Sequence, residues 1–393
     1  MSGDSRLGDL AERPDVAAAT EYLRSEDEAT LASQIELSEI PAPPFREGDR
    51  GVRMAELFHE VGLAHVRCDA EGNVRAERAG PKHTQPLIVS AHLDTVFPTG
   101  TDVSVRREGD LLRGPGISDD ARGLAALLAL ARALNAGAVQ TAHSLLFVAT
   151  VGEEGAGDLR GVKHLFGPDG PGRGSAGFIS LDGAGLDRIV VNGLCSRRYR
   201  VTVRGPGGHS WVDWGTPNPI HALTRLGAQL DGIVLILDPP TTLTLARIGG
   251  GKSINAIPQE AWLEIDTRSE ANTNVDDLER QLRACVKQSA RQYPELEFSV
   301  EIIGTRPGGA THPDQPLVQA ALSATRRQRR KPILALSSTD SNIPMAWGVP
   351  AITLGCGGEA GLAHTTDEWY RNVDGPAGII RALHTILLFA GVA

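Results

Sequence analysis

The chain has 393 residues, of which 41% are hydrophobic, 22% charged and 4% aromatic, with a net charge of −9. That apolar content is enough for a full core and excludes wholesale disorder, and the length fits about two to three domains of roughly 150 residues each. The acidic excess argues against a nucleic-acid partner, and no apolar run reaches the roughly 18 residues of a membrane span.

The N-terminal stretch 1–16 carries no basic-then-apolar leader pattern. Ala17–Ser33 and Asp49–Val61 have helical spacing. Between them, prolines at 41, 43 and 44 forbid a continuous helix through Ile40–Phe45. Pro86–Val96 reads as a strand buried on both faces. Ala121–Ala136 reads as a helix rich in Ala and Leu; its longest apolar stretch, Leu124–Leu134, is broken by Arg132. His143–Val151 and Gly177–Leu181 read as further buried strands. This alternation predicts an α/β fold with a mainly parallel sheet flanked by helices.

From Ser196 the rhythm changes. Arg197–Arg204 alternates polar and apolar residues, Pro219–Ile233 is helical, and Thr241–Ile248 and Glu260–Thr267 are strands. Val275–Tyr293 is a long amphipathic helix and Leu296–Ile303 a strand. The order β-α-β-β-α-β is that of a ferredoxin-like α+β unit. From about Thr311 the first rhythm returns, with a helix at Pro316–Gln328, strands at Ile333–Leu336 and Ala351–Leu354, and a closing helix at Pro376–Ala390. Residues 1–195 and 308–393 are therefore expected to form one α/β domain that carries residues 196–307 as an insertion. The 45 glycines and 24 prolines predict many tight turns. The basic run 326–331 is expected to end a helix, where cations suit the dipole. The four cysteines, at 68, 195, 285 and 356, form no CxxC pair, so reduced thiols in a cytoplasm are expected.

Sites in α/β proteins lie at the carboxyl ends of the strands, and there the chain places acids and histidines. In His92-Leu-Asp94 the two polar residues would share a strand face, so Asp94 could accept the second ring N–H of His92. Asp119 and Asp120 precede the helix at Ala121, Glu153 and Glu154 follow a buried strand, and Asp182 follows another. His364 lies in a glycine-rich loop. Each has an ordinary alternative: a core histidine, a helix cap, a solvated turn, an exposed loop residue. The set has a common explanation. His92, Asp119, Glu154, Asp182 and His364 supply three negative charges and two neutral imidazoles, which two divalent cations and a bridging hydroxide would bring near neutrality. If Asp119 bridges, each metal receives one His and one terminal carboxylate. Two ions about 3.5–4 Å apart clamp a water and a carbonyl oxygen, and Glu153 is then the spare acid that activates the water.

At these residues the sequence resembles the M20 family of di-zinc metallopeptidases and deacylases, which includes peptidase T-like and carboxypeptidase G2-like enzymes. The matching stretches are Ser90–Val96, Gly114–Gly123, Glu153–Gly155, Leu181–Gly183 and Ala363–Trp369, in order over most of the chain. The resemblance implies a zinc-exopeptidase-like fold with an inserted lid and dimerisation domain. It also implies that His92 and Asp182 bind one zinc, that Glu154 and His364 bind the other, and that Asp119, the first acid of its pair, bridges them. Asp94 would orient His92, and Glu153 would be the general base. His209, in Gly205–Trp211, would reach the partner subunit's site and polarise the scissile carbonyl, unless it is only a turn residue. Asn255, in Gly249–Asn255, occupies a similar family position. Arg268 projects from the strand face opposite Ala261, Leu263 and Ile265, where a family Arg meets a substrate carboxylate; an ion pair with Asp266 or Glu270 is the alternative. Two departures bear on substrate and subfamily: Ala121 stands where Lys is common, and Ser337–Asn342 replaces a Gly-Gly form.

The expected activity is amide-bond hydrolysis by a two-metal exopeptidase, with zinc, cobalt or manganese all suited to the ligands. Asp rather than Glu at 182 tilts the reading toward di- or tripeptides with a free N-terminus, that is, toward an aminopeptidase-type enzyme. The rivals are an N-acyl amino acid deacylase or carboxypeptidase of the same family and a non-catalytic peptide- or metal-binding protein. The expected partners are a small peptide or N-acyl amino acid and a second copy in a homodimer, with no nucleic acid and no membrane.

Overall fold

The computed structural model describes residues 3–81 and 85–393. The chain divides into two compact units, Met1–Gly193 with Gly309–Ala393, and Leu194–Gly308.

The first unit opens with three helices, α1 (Gly3–Glu12), α2 (Pro14–Ser25) and α3 (Asp27–Ser38), where a single helix over 17–33 was expected. Pro14 starts α2 because its missing N–H has no helical partner to lose there. Glu26 then leaves helical geometry, at φ −102° and ψ 25°, and divides α2 from α3. After the proline-rich break come α4 (Gly48–Glu60) and an unforeseen hairpin of β1 (Ala64–Cys68) and β2 (Val74–Arg78). There follow β3 (Leu87–His92), β4 (Arg106–Glu108), β5 (Leu111–Arg113), α5 (Ala121–Ala136), β6 (Leu145–Thr150), α6 (Arg160–Leu165), β7 (Gly177–Leu181) and β8 (Arg188–Gly193).

The inserted unit contains β9 (Cys195–Arg204), the two-residue β10 (Gly208–His209), α7 (Pro219–Asp231), β11 (Thr241–Gly250), the two-residue β12 (Ala256–Ile257), β13 (Glu260–Ser269), α8 (Asn272–Gln292) and β14 (Glu297–Arg306). Its main sheet runs β11-β13-β9-β14, antiparallel throughout, which is the ferredoxin-like order. Every second residue of β13 is buried, and Ala261, Leu263 and Ile265 share a core with Leu223 and Leu226 of α7 and Leu282 of α8.

The chain then returns to the first unit through β15 (Gly309–Ala310), α9 (Pro316–Arg327), β16 (Ile333–Ser337), α10 (Asn342–Ala346), β17 (Ala351–Leu354), β18 (Glu359–Gly361), β19 (Trp369–Arg371) and α11 (Gly375–Ala390). The large sheet has the order β1-β2-β6-β3-β7-β17-β8-β15, with β16 beside β8. The four central strands, β6, β3, β7 and β17, are parallel and fully buried, while antiparallel pairs extend the sheet on both sides. Alternate residues divide the core between the faces. Leu87, Val89 and Ala91 pack with α5 and α11, whereas Ile88 joins Leu146, Val148 and Phe178 against Leu165 and Met345. A small separate sheet, β18-β19-β5-β4, ties together the two loops that lead to Asp119 and His364.

Candidate metal centre

β6, β3 and β7 are neighbours in the large sheet, so their carboxyl ends meet. His92 is the last residue of β3, Glu153 and Glu154 lie just beyond β6, and Asp182 follows β7 directly. Asp119 arrives on the loop before α5, and His364 on the loop between β18 and β19. One carboxylate spans both rings. His92 Nε2 is 3.0 Å from Asp119 Oδ1, and His364 Nε2 is 3.1 Å from Asp119 Oδ2. The His364 ring also lies 2.8 Å from Glu154 Oε1. Donor atoms of His92, Asp119 and Glu154 lie within 4.8 Å of one another, as do those of His92, Asp120 and Asp182. The His92 side chain is 2% exposed and that of His364 is 55% exposed, so one ring faces the core and the other faces solvent.

Asp119 and Asp120, joined by a cis peptide bond, have different partners. The Asp120 carboxylate accepts the main-chain N–H groups of His92, Gly123 and Gly183, each at 3.0 Å. It caps α5 and stitches that helix to the ends of β3 and β7. Although its donor atoms fall near His92 and Asp182, its oxygens are already engaged, and Asp119 is the carboxylate left to act as a ligand. The loop carrying Asp119 is in turn held by Glu368, which accepts N–H groups from Gly116 (3.1 Å), Ser118 (2.8 Å) and Asp119 (2.9 Å). Glu368 is buried and was given no role from the sequence, although it lies in one of the matching stretches.

Asp94 departs from the expected geometry. β3 ends at His92, so the two residues do not share a strand face. His92 Nδ1 meets the main-chain carbonyl of Asp94 at 3.0 Å, with the nearer carboxylate oxygen at 3.6 Å. The carboxylate accepts instead from the N–H groups of Glu153 (2.9 Å) and Glu154 (2.7 Å), which fixes the turn presenting both acids. Buried arginines anchor the surrounding loops by their carbonyls. Arg50 donates to Leu93, Arg122 to Cys356 and Gly375, and Arg381 to Gly355 and Leu186. Sequence reading missed these as well; their one signal was an arginine set inside each apolar helical face.

The electrostatics show what the cluster lacks. Burial disfavours a charged His92, but Asp119, Asp120 and Asp94 outweigh it and hold the imidazole well above its ordinary value. Contacts with Asp119 and Glu154 push His364 up to about 10. Burial works against ionised Asp119, yet the two rings keep it well below the usual carboxylate range. Asp182 is pushed up to about 7 by burial and by Asp119, Glu154 and Asp340. Protein atoms alone leave the cluster short of positive charge, which is why both rings and the Asp182 carboxyl are pushed upward. Two imidazoles and three carboxylates aimed at one another suit divalent cations, which bring the same charge.

The inserted unit carries the other candidates. His209 and Ala256 pair across the two-stranded ribbon, and the Ser210 N–H bonds the Asn255 carbonyl, so His209 and Asn255 lie close together. His209 Nδ1 accepts from the N–H groups of Trp211 and Val212, which leaves Nε2 to carry the hydrogen of the neutral ring. Arg268 lies on the sheet face away from α7 and α8, where its Nε donates to Asp266 at 2.7 Å. The ion pair weighed as its alternative is thus present.

Residues 88–388 match the family model described as Peptidase family M20/M25/M40. The chain is 26% identical over 355 residues to an uncharacterised protein of Bacillus subtilis, YqjE, covering 86% of this chain and 92% of that one. It is 26% identical over 321 residues to a succinyl-diaminopimelate desuccinylase of Paracoccus denitrificans, covering 75% and 81%. The crystal structure of aminopeptidase PepT from Bacillus cereus superposes with a TM-score of 0.72 at 21% identity, covering 92% and 98%.

Proposed function

The chain belongs to peptidase family M20/M25/M40 and is a hydrolase, and on that premise we propose that it is a two-metal exopeptidase acting on di- or tripeptides with a free N-terminus. The observation that carries the metal centre is the Asp119 carboxylate shared between His92 and His364, one oxygen to each ring. In this reading His92 and Asp182 hold one cation, Glu154 and His364 the other, and Asp119 both. Two divalent ions there, zinc or otherwise, supply Lewis acidity and make water more acidic.

The protein's own groups do the rest. Glu153 takes a proton from the attacking water and passes it to the leaving nitrogen. Its main-chain N–H is bonded to Asp94, which keeps that end of the turn in place. His209, from the partner subunit of a homodimer, stabilises the developing oxyanion, and the inserted unit serves as lid and dimerisation surface. Arg268 and Asn255 bind substrate. Asp182, with its shorter side chain, favours the free-amine substrate end.

A second reading, an N-acyl amino acid deacylase, is favoured by the relative named as a desuccinylase. The test is a panel of di- and tripeptides beside N-acetyl and N-succinyl amino acids, run with metal analysis of the purified protein. Turnover of free-amine peptides with about two divalent ions per chain supports the first reading. Turnover confined to N-acyl substrates supports the second, and turnover unaffected by chelation overturns both.

A further inference from the structure

The first unit holds a cavity of about 680 Å³ lined from α1, α2, the end of α9 and α11. Three arginines line it, Arg24, Arg327 and Arg329, together with Thr20, Gln328 and His384. The one acid among the lining residues, Glu21, lies 3.2 Å from Arg24. Arg327 and Arg329 belong to the basic run that the sequence assigned to a helix end. The run is divided by its ion pairs. Arg326 faces Asp4 at 3.6 Å and Arg330 faces Asp374 at 2.8 Å, whereas Arg327 and Arg329 have no carboxylate partner among the described residues. Arg329 takes a left-handed φ of 59°, and its N–H closes the turn on the Arg326 carbonyl.

His384 lines the same cavity, is only 2% exposed, and its Nδ1 has no hydrogen-bond partner among the described residues. Its Nε2 lies 3.4 Å from Thr20 Oγ1, whose hydroxyl already donates to the Val16 carbonyl. With the Thr20 hydroxyl so engaged, the neutral ring gives its N–H to Thr20 and leaves the shielded Nδ1 as an acceptor, so the positive charge at the cavity comes from the arginines alone.

We propose that this cavity is a binding site for a phosphate-type dianion, either free phosphate or the phosphate group of a small metabolite. The charge matches, because the lining carries three guanidinium groups and one carboxylate, a net of two positive charges. The chemistry matches as well, since the planar guanidinium fork pairs two-point with phosphate oxygens. The cavity has room for an organic group against Ala11 and Ala17.

The experiment is calorimetric titration of the metal-loaded full chain at constant ionic strength in phosphate-free buffer. The probes are inorganic phosphate, glycerol 3-phosphate and succinate. Saturable binding of phosphate or the monoester, but not of succinate, is expected. Arg327→Gln with Arg329→Gln should weaken it at least tenfold, with peptide turnover unchanged. Both arginines are exposed, so the double variant should fold, and circular dichroism checks this. Tighter binding of the monoester identifies a metabolite, and equal binding identifies free phosphate. No saturable binding, equal binding of succinate, or an affinity unchanged by the double substitution overturns the proposal; the last outcome would put phosphate at the metal centre instead.

Discussion

Adjacent acids in this chain have opposite employment. Asp120 spends its oxygens on three main-chain N–H groups, while Asp119 offers its own to two imidazoles. The pair was legible in the sequence, but its division of labour only through the family resemblance, because the residues alone do not tell which carboxylate faces the chain ends of β3 and β7. Asp120→Asn should therefore lower stability by about 1–3 kcal/mol, the cost of weakening a buried acceptor, whereas Asp119→Asn should chiefly reduce bound metal. Urea unfolding and metal analysis of both variants separate the two effects. Glu368 escaped notice because its work is done on main-chain groups that no sequence pattern displays. Glu368→Gln should weaken metal binding by about tenfold, as loss of a group behind the ligands commonly does, measured by competition with a chelator. At Glu153 the expectation concerns rate: Glu153→Gln should retain its metals and lose about a hundredfold or more of turnover.

Elements were most legible where periodicity was long and undisturbed. α5, β7 and β17 match their expected bounds, because an Ala/Leu face or a continuous buried run leaves no other reading. The hairpin of β1 and β2 was missed because its strands are short and carry arginines, and only its pairing with the edge of the buried sheet organises it. The N-terminal helix expectation failed at Glu26, where a break costs little in exposed chain. The junction of α5 with the sheet tolerates no added volume. A Cβ at Gly123 would collide with the Asp120 carboxylate and the Leu181 carbonyl. Gly123→Ala should thus cost about 1–3 kcal/mol or more and weaken metal binding through Asp120, which thermal unfolding with and without metal would reveal.

For the molecule as a whole, His384 makes stability depend on acidity. Burial, with Arg327 and Arg24, pushes it down to about 4 from an ordinary 6.5, and Glu21 and Arg329 line the same cavity. Above pH 6.5 both the folded and unfolded chains hold it neutral. Between 6.5 and about 4 the unfolded chain takes a proton that the folded one refuses, so this contribution to stability falls as pH falls, by up to roughly 3 kcal/mol. Metal-free His384→Gln should show a shallower loss of urea midpoint across that window than the metal-free parent. The order of the large sheet also bears on synthesis. β17, near the C-terminus, lies between β7 and β8, while the strands of the inserted unit are contiguous in the chain. On the ribosome the insertion can complete itself first, and its host must wait with a gap in the middle until Ala351–Leu354 emerge. His364 leaves the exit tunnel later still, so a nascent chain stalled before it would lack one imidazole for the cations its earlier acids attract.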